Sequence, residues 1–302
     1  PACAKNCGER GMFMAKRISD RKTDSSIRRF MLSKVNRRLI YVLLLLVAVI
    51  LVGVFADRIA PYPYMKANFQ AKMKAPSLEH LFGTDAFGRD LFSRVIYGLR
   101  IALRVALISM VIQLSLGIVV GLVAGYFGGI IDRILSFIID VFYSIPSMIL
   151  AFAFVTVLGS SLDNAIIAVA LTAWPNYARM VRTKTIELKG AAYIKIAVTY
   201  GESCFSIMFR YILPNLIPSI VVLTSTRLPN AIISTTALSF LGLGAQSPSP
   251  DWGLALSEAT RYVTQAPWLS IFPGLALVLL TYLFSIVGEA MRDAADPNLH
   301  EL

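Results

Sequence analysis

The stretch that decides the fold runs from Thr183 to Pro218 and reads TKTIELKGAAYIKIAVTYGESCFSIMFRYILPNLIP. It is a polar, amphipathic insert between apolar runs that are long enough to cross a bilayer. Apolar residues recur at helical spacing on both sides of a central glycine, at Ile194, Ala197, Val198, Phe205, Ile207, Met208, Phe209 and Ile212. Because glycine tolerates positive φ, Gly201 is a natural helix end. The pattern predicts two short helices at an angle, held against a membrane face.

Composition indicates the protein class. The chain has 302 residues, of which 56% are hydrophobic and 16% are charged, and its mean hydropathy is +0.66. That is too apolar for an ordinary soluble domain. The net charge of +11 is concentrated in the first forty positions and in the insert, beside apolar spans. Positive charge there marks a cytoplasmic face and meets anionic lipid. We expect no nucleic-acid partner, because no basic face carries aromatic stacking positions.

The apolar runs predict an all-α integral membrane protein with six transmembrane helices and both termini in the cytoplasm. The expected spans are residues 39–56, 101–124, 134–158, 165–180, 217–243 and 269–287. A basic cytoplasmic tail, 1–38, precedes the first span, and we see no cleavage site after that span. The remaining segments are an extracytoplasmic loop 57–99, a core domain 100–290 that includes the insert at 183–215, and a cytoplasmic tail 291–302.

Polar residues inside the spans are candidate sites, since a charge in a bilayer is costly unless it faces protein or water. Asp140 either marks such a site or lies at the interface, and Pro146 should kink its helix. The fifth span is the least hydrophobic, which is typical of a helix lining an aqueous path. Its candidate path residues are Arg227, Asn230, Thr235 and Ser239. Arg227 either attracts a substrate carboxylate or makes a structural pair.

Two glycine-rich segments flank the second and fifth spans on the outer side. Residues 81–98 contain Gly-Thr-Asp and Gly-Arg-Asp triplets, which suit turns and helix caps. We expect a capped amphipathic helix at the outer interface there, with direct substrate contact as the alternative. Residues 239–253 should form an outer loop, with Trp252 and Trp268 at the membrane interface.

These segments also resemble a known family. The Gly201 turn followed by FRYILPN at 209–215 is similar to the cytoplasmic coupling loop of binding-protein-dependent ABC transporter permeases. Residues 81–98, 239–253 and 288–299 resemble the peptide- and nickel-type members of that group. The usual Glu-Ala-Ala triplet before the glycine is replaced by Lys195, Ile196 and Ala197.

The resemblance implies a type I ABC permease fold whose insert carries a coupling helix. It implies four partners besides the lipid bilayer: a second homologous permease in a heterodimer, two cytosolic ATPases and an extracytoplasmic solute-binding protein. ATP and Mg would be bound by the ATPases, and no cofactor by this chain. The expected location is a bacterial or archaeal plasma membrane. Di- or oligopeptides are the expected cargo, with nickel as an alternative.

The coupling residues follow from the same resemblance and from the chemistry of docked helices, which need buried apolar anchors. Tyr200, Phe205 and Phe209 are the candidate anchors, although they could instead pack against the chain's own membrane helices. Lys195 and Arg210 would form a polar rim. Gly201 and Glu202 belong to the turn between the helices.

Catalytic motifs are missing from the sequence. There is no phosphate-binding loop, zinc motif or nucleophile elbow. His80 and His300 are expected at the surface, and Cys3, Cys7 and Cys204 as reduced thiols without a metal. We therefore predict no enzyme, no catalytic residue and no metal site. A gradient-driven secondary transporter is the main alternative, but it would need intramembrane carboxylates or inverted repeats, and a lipid enzyme would need an acid–base constellation.

Overall fold

The computed structural model describes residues 34–295, and the side chains of residues 38–294. Most of the predicted N-terminal tail and part of the C-terminal tail lie outside these residues, together with Cys3, Cys7 and His300. Within the described chain the regular elements are all helical. They are α1 (Lys34–Val54), α2 (Ala56–Ile59), a 3-10 turn (Phe69–Ala71), α3 (Leu91–Phe127), α4 (Gly129–Ser144), α5 (Ser147–Leu158), α6 (Leu162–Lys189), α7 (Ala192–Thr199), α8 (Cys204–Ser206), a π-helical turn (Ile207–Ile212), α9 (Leu213–Phe240), α10 (Trp252–Ala259), a second 3-10 turn (Thr260–Tyr262) and α11 (Trp268–Ala295).

Three helices among residues 34–295 are long and apolar enough to cross a membrane: Leu91–Phe127, Cys204–Phe240 and Trp268–Ala294. The pair α4 and α5 would make a fourth span, but it is bent by 94°. The apolar part of α1, Arg38–Val54, is shorter, and α6 is polar towards both ends. The number of six spans and the side of each terminus therefore stay predictions.

Helix α3 begins inside the segment that was predicted as loop 57–99. Asp90 caps it, because its carboxylate accepts hydrogen bonds from the Ser93 backbone N–H at 2.8 Å and the Ser93 hydroxyl at 2.7 Å. The helix has 37 residues, or about 55 Å at 1.5 Å per residue, so it is longer than a bilayer core of about 30 Å. The expected separate interfacial helix is therefore the first turns of this long one.

Close packing of α3 against α6 forms the centre of the fold. Gly117, Gly121 and Gly125 lie one turn apart on α3, and each faces the α6 backbone. A Cβ atom at Gly121 would lie 2.7 Å from the Ala178 carbonyl oxygen, and one at Gly125 would lie 2.7 Å from Thr185 Cβ. Small residues at this spacing let two helix backbones approach each other, as is common between membrane helices.

The third predicted span is broken rather than kinked. Helix α4 ends at Ser144 and α5 starts at Ser147, with the two axes 94° apart. Pro146 cannot donate the backbone hydrogen bond that would continue α4, and the residue before a proline avoids the helical region. Ile145 is indeed extended, with φ −101° and ψ 129°. The connection between α3 and α4 is the Gly128–Gly129 turn, and Asp132 and Arg133 lie inside α4.

The two glycine-rich segments pack on each other at the Leu91 end of α3, in what we call the Arg94 joint (residues 81–98 and 248–258). The buried Arg94 guanidinium donates to the carbonyls of Pro248 at 3.2 Å and Ser249 at 2.8 Å. Arg89 bridges Asp85 at 2.5 Å and Glu258 at 3.1 Å. Buried charges are stable when they are paired in this way, so the joint ties the start of α3 to α10.

Two sequence expectations about this joint are wrong. Trp252, at the end of the predicted outer loop 239–253 and the start of α10, is 4% exposed rather than interfacial. Its indole N–H donates to the Val95 carbonyl at 3.1 Å. The ring fits because residue 98 is a glycine, since a Cβ atom there would overlap the ring. His80 is buried as well, 7% exposed, with its Nδ1 2.9 Å from Asp90 Oδ1. Buried aromatic and imidazole groups need such polar partners.

Candidate coupling surface and translocation cavity

The insert forms one short helix followed by the start of a long one. Helix α7 ends at Thr199, and the chain turns at Gly201, where φ is +78°. Ser203 then caps the next helix by accepting from the Ser206 N–H at 3.2 Å. Residues Cys204–Phe240 form one continuous 37-residue helix, so the predicted second short helix is not separate. A movement of the insert would therefore act directly on α9.

The inner face of the insert is buried against the Phe127 end of α3. Its buried apolar residues include Ile194, Ala197, Ile207, Met208 and Ile212, and they pack with Leu122, Tyr126 and Val181. Ile194, Ile207 and Ile212 are each no more than 1% exposed. Burying a side chain of this size stabilises a fold by roughly 1.5–3 kcal/mol. The insert is thus a packed part of the helical body.

Polar contacts hold the same region. Lys189, the last residue of α6, donates from Nζ to the Tyr126 carbonyl at 2.5 Å, at the end of α3. Arg182 donates to both carboxylate oxygens of Asp132, at 2.5 and 2.7 Å, and so joins α6 to α4. Bidentate arginine–carboxylate pairs fix orientation as well as distance.

The outer face of the insert carries exposed aromatic side chains. Tyr200 is 85% exposed, Phe205 69% and Phe209 42%. The two phenylalanines stack on each other with their ring centroids 4.7 Å apart. Packing against the chain's own helices therefore does not account for Tyr200 and Phe205. We call these three side chains, with Lys195 and Arg210, the coupling surface.

The charged groups of this surface are available to a partner. The side chains of Lys195 and Arg210 are exposed and make no hydrogen bond or ion pair with any described residue. Glu202 is partly buried and accepts from the Tyr211 hydroxyl at 3.5 Å. At the altered triplet, Ala197 faces inwards at 6% exposure whereas Ile196 is 55% exposed. The replaced positions thus point away from the core, and the retained small residue points into it.

A second feature is a cavity of about 230 Å³ between α3, the start of α5, α6 and α9. Arg227 and Asn230, two of the four candidate path residues, line it, together with Gln113, Asn176 and Ser234. The composition had already marked α9 as polar. Gln113 was not singled out, although it is the one amide side chain within the apolar run 101–124.

The other two candidate path residues lie away from this cavity. Thr235 is 1% exposed and Ser239 is fully buried. The Ser239 Oγ accepts a hydrogen bond from the Ala245 N–H at 3.0 Å, and Gly244 packs on it. Sequence spacing could not separate them from Asn230, because a serine or threonine in a helix is as readily used for structure as for solvent contact.

Much of the polarity of α9 is satisfied within the helix itself. The hydroxyl groups of Thr224, Ser225 and Thr226 donate to carbonyls three or four residues earlier, at 2.7–3.1 Å. Such bonds let hydroxyl residues lie in an apolar environment. These three hydroxyl groups therefore need no aqueous path to satisfy them, and the polarity of α9 is not evidence for a path at their positions.

Asp140 lies on α4 and contacts α6, one of the helices that form the cavity. Its carboxylate accepts from Arg179 at 2.8 Å, and both side chains are more than half exposed. The Arg179 guanidinium also lies 3.9 Å from the Tyr143 ring centroid, and the Tyr143 hydroxyl donates to Asn176 at 2.8 Å. Asp140 is thus part of a polar contact between α4 and α6.

Comparison with known proteins places this geometry in a family. Residues 117–301 match the family model described as binding-protein-dependent transport system inner membrane component. A dipeptide transport system permease protein of Alkalihalophilus pseudofirmus is 40% identical over 266 residues, which are 88% of each chain. A glutathione transport system permease protein of Shigella flexneri serotype 5b is 44% identical over 257 residues, 85% of each chain.

A solved structure agrees on the fold. The inward-facing MetNI methionine ABC transporter superposes with a TM-score of 0.56 at 23% identity, covering 68% of this chain and 98% of that one. The family model covers the insert, the cavity-lining residues other than Gln113, and the three helices α6, α9 and α11. The chain belongs to the binding-protein-dependent transport system inner membrane components.

Proposed function

We propose that this chain is the membrane-spanning permease subunit of an ATP-driven importer of di- or oligopeptides. The observation that carries the proposal is the coupling surface: exposed aromatic side chains on an insert whose opposite face is packed into the helical body. Exposed aromatic anchors are typical of sites where a protein partner docks. The dipeptide and glutathione permeases among its relatives support a peptide cargo.

Coupling would proceed by rigid movement of the insert. ATP binding by the partner ATPases closes them and displaces the docked α7. Because the inner face of the insert is buried against α3 and α6, and because the turn leads directly into the helix Cys204–Phe240, that displacement reaches the cavity wall on α9. Packed interfaces switch between discrete arrangements, so the cavity would open alternately to the two sides.

The assembly that we propose contains a second homologous permease, two cytosolic ATPases and an extracytoplasmic solute-binding protein. ATP and Mg²⁺ would be bound by the ATPases, and this chain would catalyse no reaction. The cavity is open and small, which suits half of a path that is completed by another subunit. A bacterial inner membrane is the proposed location, in keeping with the family description.

The six-span arrangement with both ends in the cytoplasm is part of the same proposal. Helices α3, Cys204–Phe240 and α11 supply three spans. The pair α4 and α5 would be one broken span, and α1 and α6 the remaining two. Helix α6 has 28 residues, about 42 Å, which is long enough to cross despite its polar ends.

Transport by an ion gradient is the competing function. It would need a titratable group in the path, and the candidate for this role, Asp140, is paired with Arg179 at 2.8 Å. Reconstituted vesicles decide between the two. The assembled complex should accumulate a radiolabelled dipeptide only when ATP is supplied on the ATPase side, and a protonophore should leave uptake unchanged. Uptake that stops with the protonophore and continues without ATP would contradict the proposal.

A further inference from the structure

The cavity of about 230 Å³ between α3, α5, α6 and α9 has polar groups without partners. Five of its lining side chains make no hydrogen bond or ion pair with any described residue: Gln113, Ser147, Arg227, Asn230 and Ser234. Gln113 is only 4% exposed as a residue, but its amide atoms are not among the fully enclosed atoms without a partner, so the polar surface that it keeps faces the cavity. An amide in such a place bonds to water or to a polar ligand. The cavity is therefore built for a polar occupant.

The side chains that line the cavity carry positive charge only. Arg227 is the only charged residue among those that line the cavity, and no Asp or Glu lies in that set. The nearest cation along α6, Arg179, is already paired with Asp140 at 2.8 Å. A guanidinium beside amide and hydroxyl groups matches a carboxylate, which accepts several charge-assisted hydrogen bonds at once.

We propose that this cavity binds the terminal carboxylate of the cargo peptide, with Arg227 as its ion-pair partner and the Gln113 and Asn230 amides as further donors. The inference rests on the proposed import of peptides. It assigns a direction to the cargo: the carboxylate end contacts this subunit, and the ammonium end contacts groups outside this cavity.

The size of the cavity agrees with an end group rather than a whole ligand. Sites that enclose a small-molecule ligand have volumes of about 300–1,000 Å³, whereas this cavity has about 230 Å³. Arg227 and Asn230 are themselves exposed, so the cavity is open on the side of α9. The rest of a peptide would extend through that opening.

The test uses the full transporter in vesicles with one unchanged solute-binding protein. The probes are radiolabelled trialanine and trialanine amide, which lacks the terminal charge. We compare the ratio of their uptake rates for the wild-type chain, Arg227→Gln and Arg227→Lys. Arg133→Gln serves as the matched control, because Arg133 is also exposed and unpaired among the described residues but does not line the cavity.

The wild type and Arg133→Gln should prefer the free acid, and Arg227→Gln should lower that preference roughly tenfold. Arg227→Lys should restore part of it, because the charge remains while the bidentate geometry is lost. An unchanged preference in Arg227→Gln overturns the inference, and so does an equal loss of both probes, which would mean that Arg227 pairs with another subunit. If the wild type imports neither probe, the proposed cargo class itself fails.

Discussion

Phe205→Ala is the most direct test of the coupling surface, because this side chain stacks on Phe209 but is not buried in the helical body. Its exposed fraction is 69%. A buried phenylalanine covers 150–250 Å², so docking would remove about 100–170 Å² of Phe205 from water. At roughly 25 cal/mol per Å² this area corresponds to about 2.6–4.3 kcal/mol. Alanine keeps a small part of the contact, so we expect a loss of about 2–3 kcal/mol.

That loss corresponds to roughly 30- to 150-fold weaker ATPase binding. The assay measures the affinity of the labelled ATPase for the permease pair in lipid nanodiscs, with the second permease left unchanged. Leu78→Ala is the control, because Leu78 is fully exposed but lies beside the Arg94 joint, at the opposite end of α3. Wild-type affinity in Phe205→Ala, or an equal loss in Leu78→Ala, would refute the reasoning.

Three further predictions concern the framework. Gly98→Ala should destabilise the protein by roughly 1–3 kcal/mol, because the new Cβ would overlap the Trp252 ring and lie 2.7 Å from a carbonyl oxygen. Gly274→Ala should change stability little, because the nearest atom to its Cβ would be 3.8 Å away. Gly201→Val should reduce uptake far more than Gly201→Asn. Both side chains have free space at the turn, but φ is +78° there, and asparagine tolerates this backbone conformation whereas a β-branched residue does not. Asp251→Ala should cost about 1 kcal/mol by removing the cap of α10, whereas Asp251→Asn should keep it.

These predictions have distinct readouts. Thermal unfolding in detergent measures the Gly98 and Asp251 variants, and equal midpoints for Gly98→Ala and Gly274→Ala would contradict the packing argument. Burial raises the pKa of the Asp251 carboxyl above its ordinary value of 3.8. The folded state therefore holds this proton more tightly, and the free energy of unfolding falls as pH rises from that value through the raised pKa. Asp251→Asn should remove this part of the pH dependence. Equal uptake by Gly201→Val and Gly201→Asn would show that backbone conformation at the turn does not matter.

Local chemistry made the coupling surface predictable from the sequence. The Gly201 turn depends on one residue type and its φ, and the inward and outward faces of α7 follow from helical spacing. Ile194 and Ala197 are buried and Tyr200 is exposed, as that spacing requires, but Val198, which shares the apolar pattern, is 54% exposed. The length of the following helix was missed, because a proline such as Pro214 usually ends or kinks a helix, whereas here the π-helical turn Ile207–Ile212 leads into α9 without a break.

Long-range packing was not predictable in the same way. Trp252 looked interfacial because tryptophan is common there, but its partner Gly98 is 154 positions away in the chain, and nothing local indicates the contact. Ser239 was predicted to be a path residue, yet its hydroxyl oxygen accepts a hydrogen bond from the Ala245 N–H and so stabilises the turn after α9. Pro146 predicted a kink, but a proline alone does not specify a bend as large as the 94° between α4 and α5.

Affinity purification of the tagged chain in mild detergent tests the central claim most directly, since it asks what the coupling surface binds. We expect two ATPase copies and a second permease to be recovered with the chain, and the ATPases to be depleted when Tyr200 and Phe205 are both changed to alanine. Recovery of the chain alone, or with copies of itself only, would contradict the coupled importer and favour a carrier driven by an ion gradient.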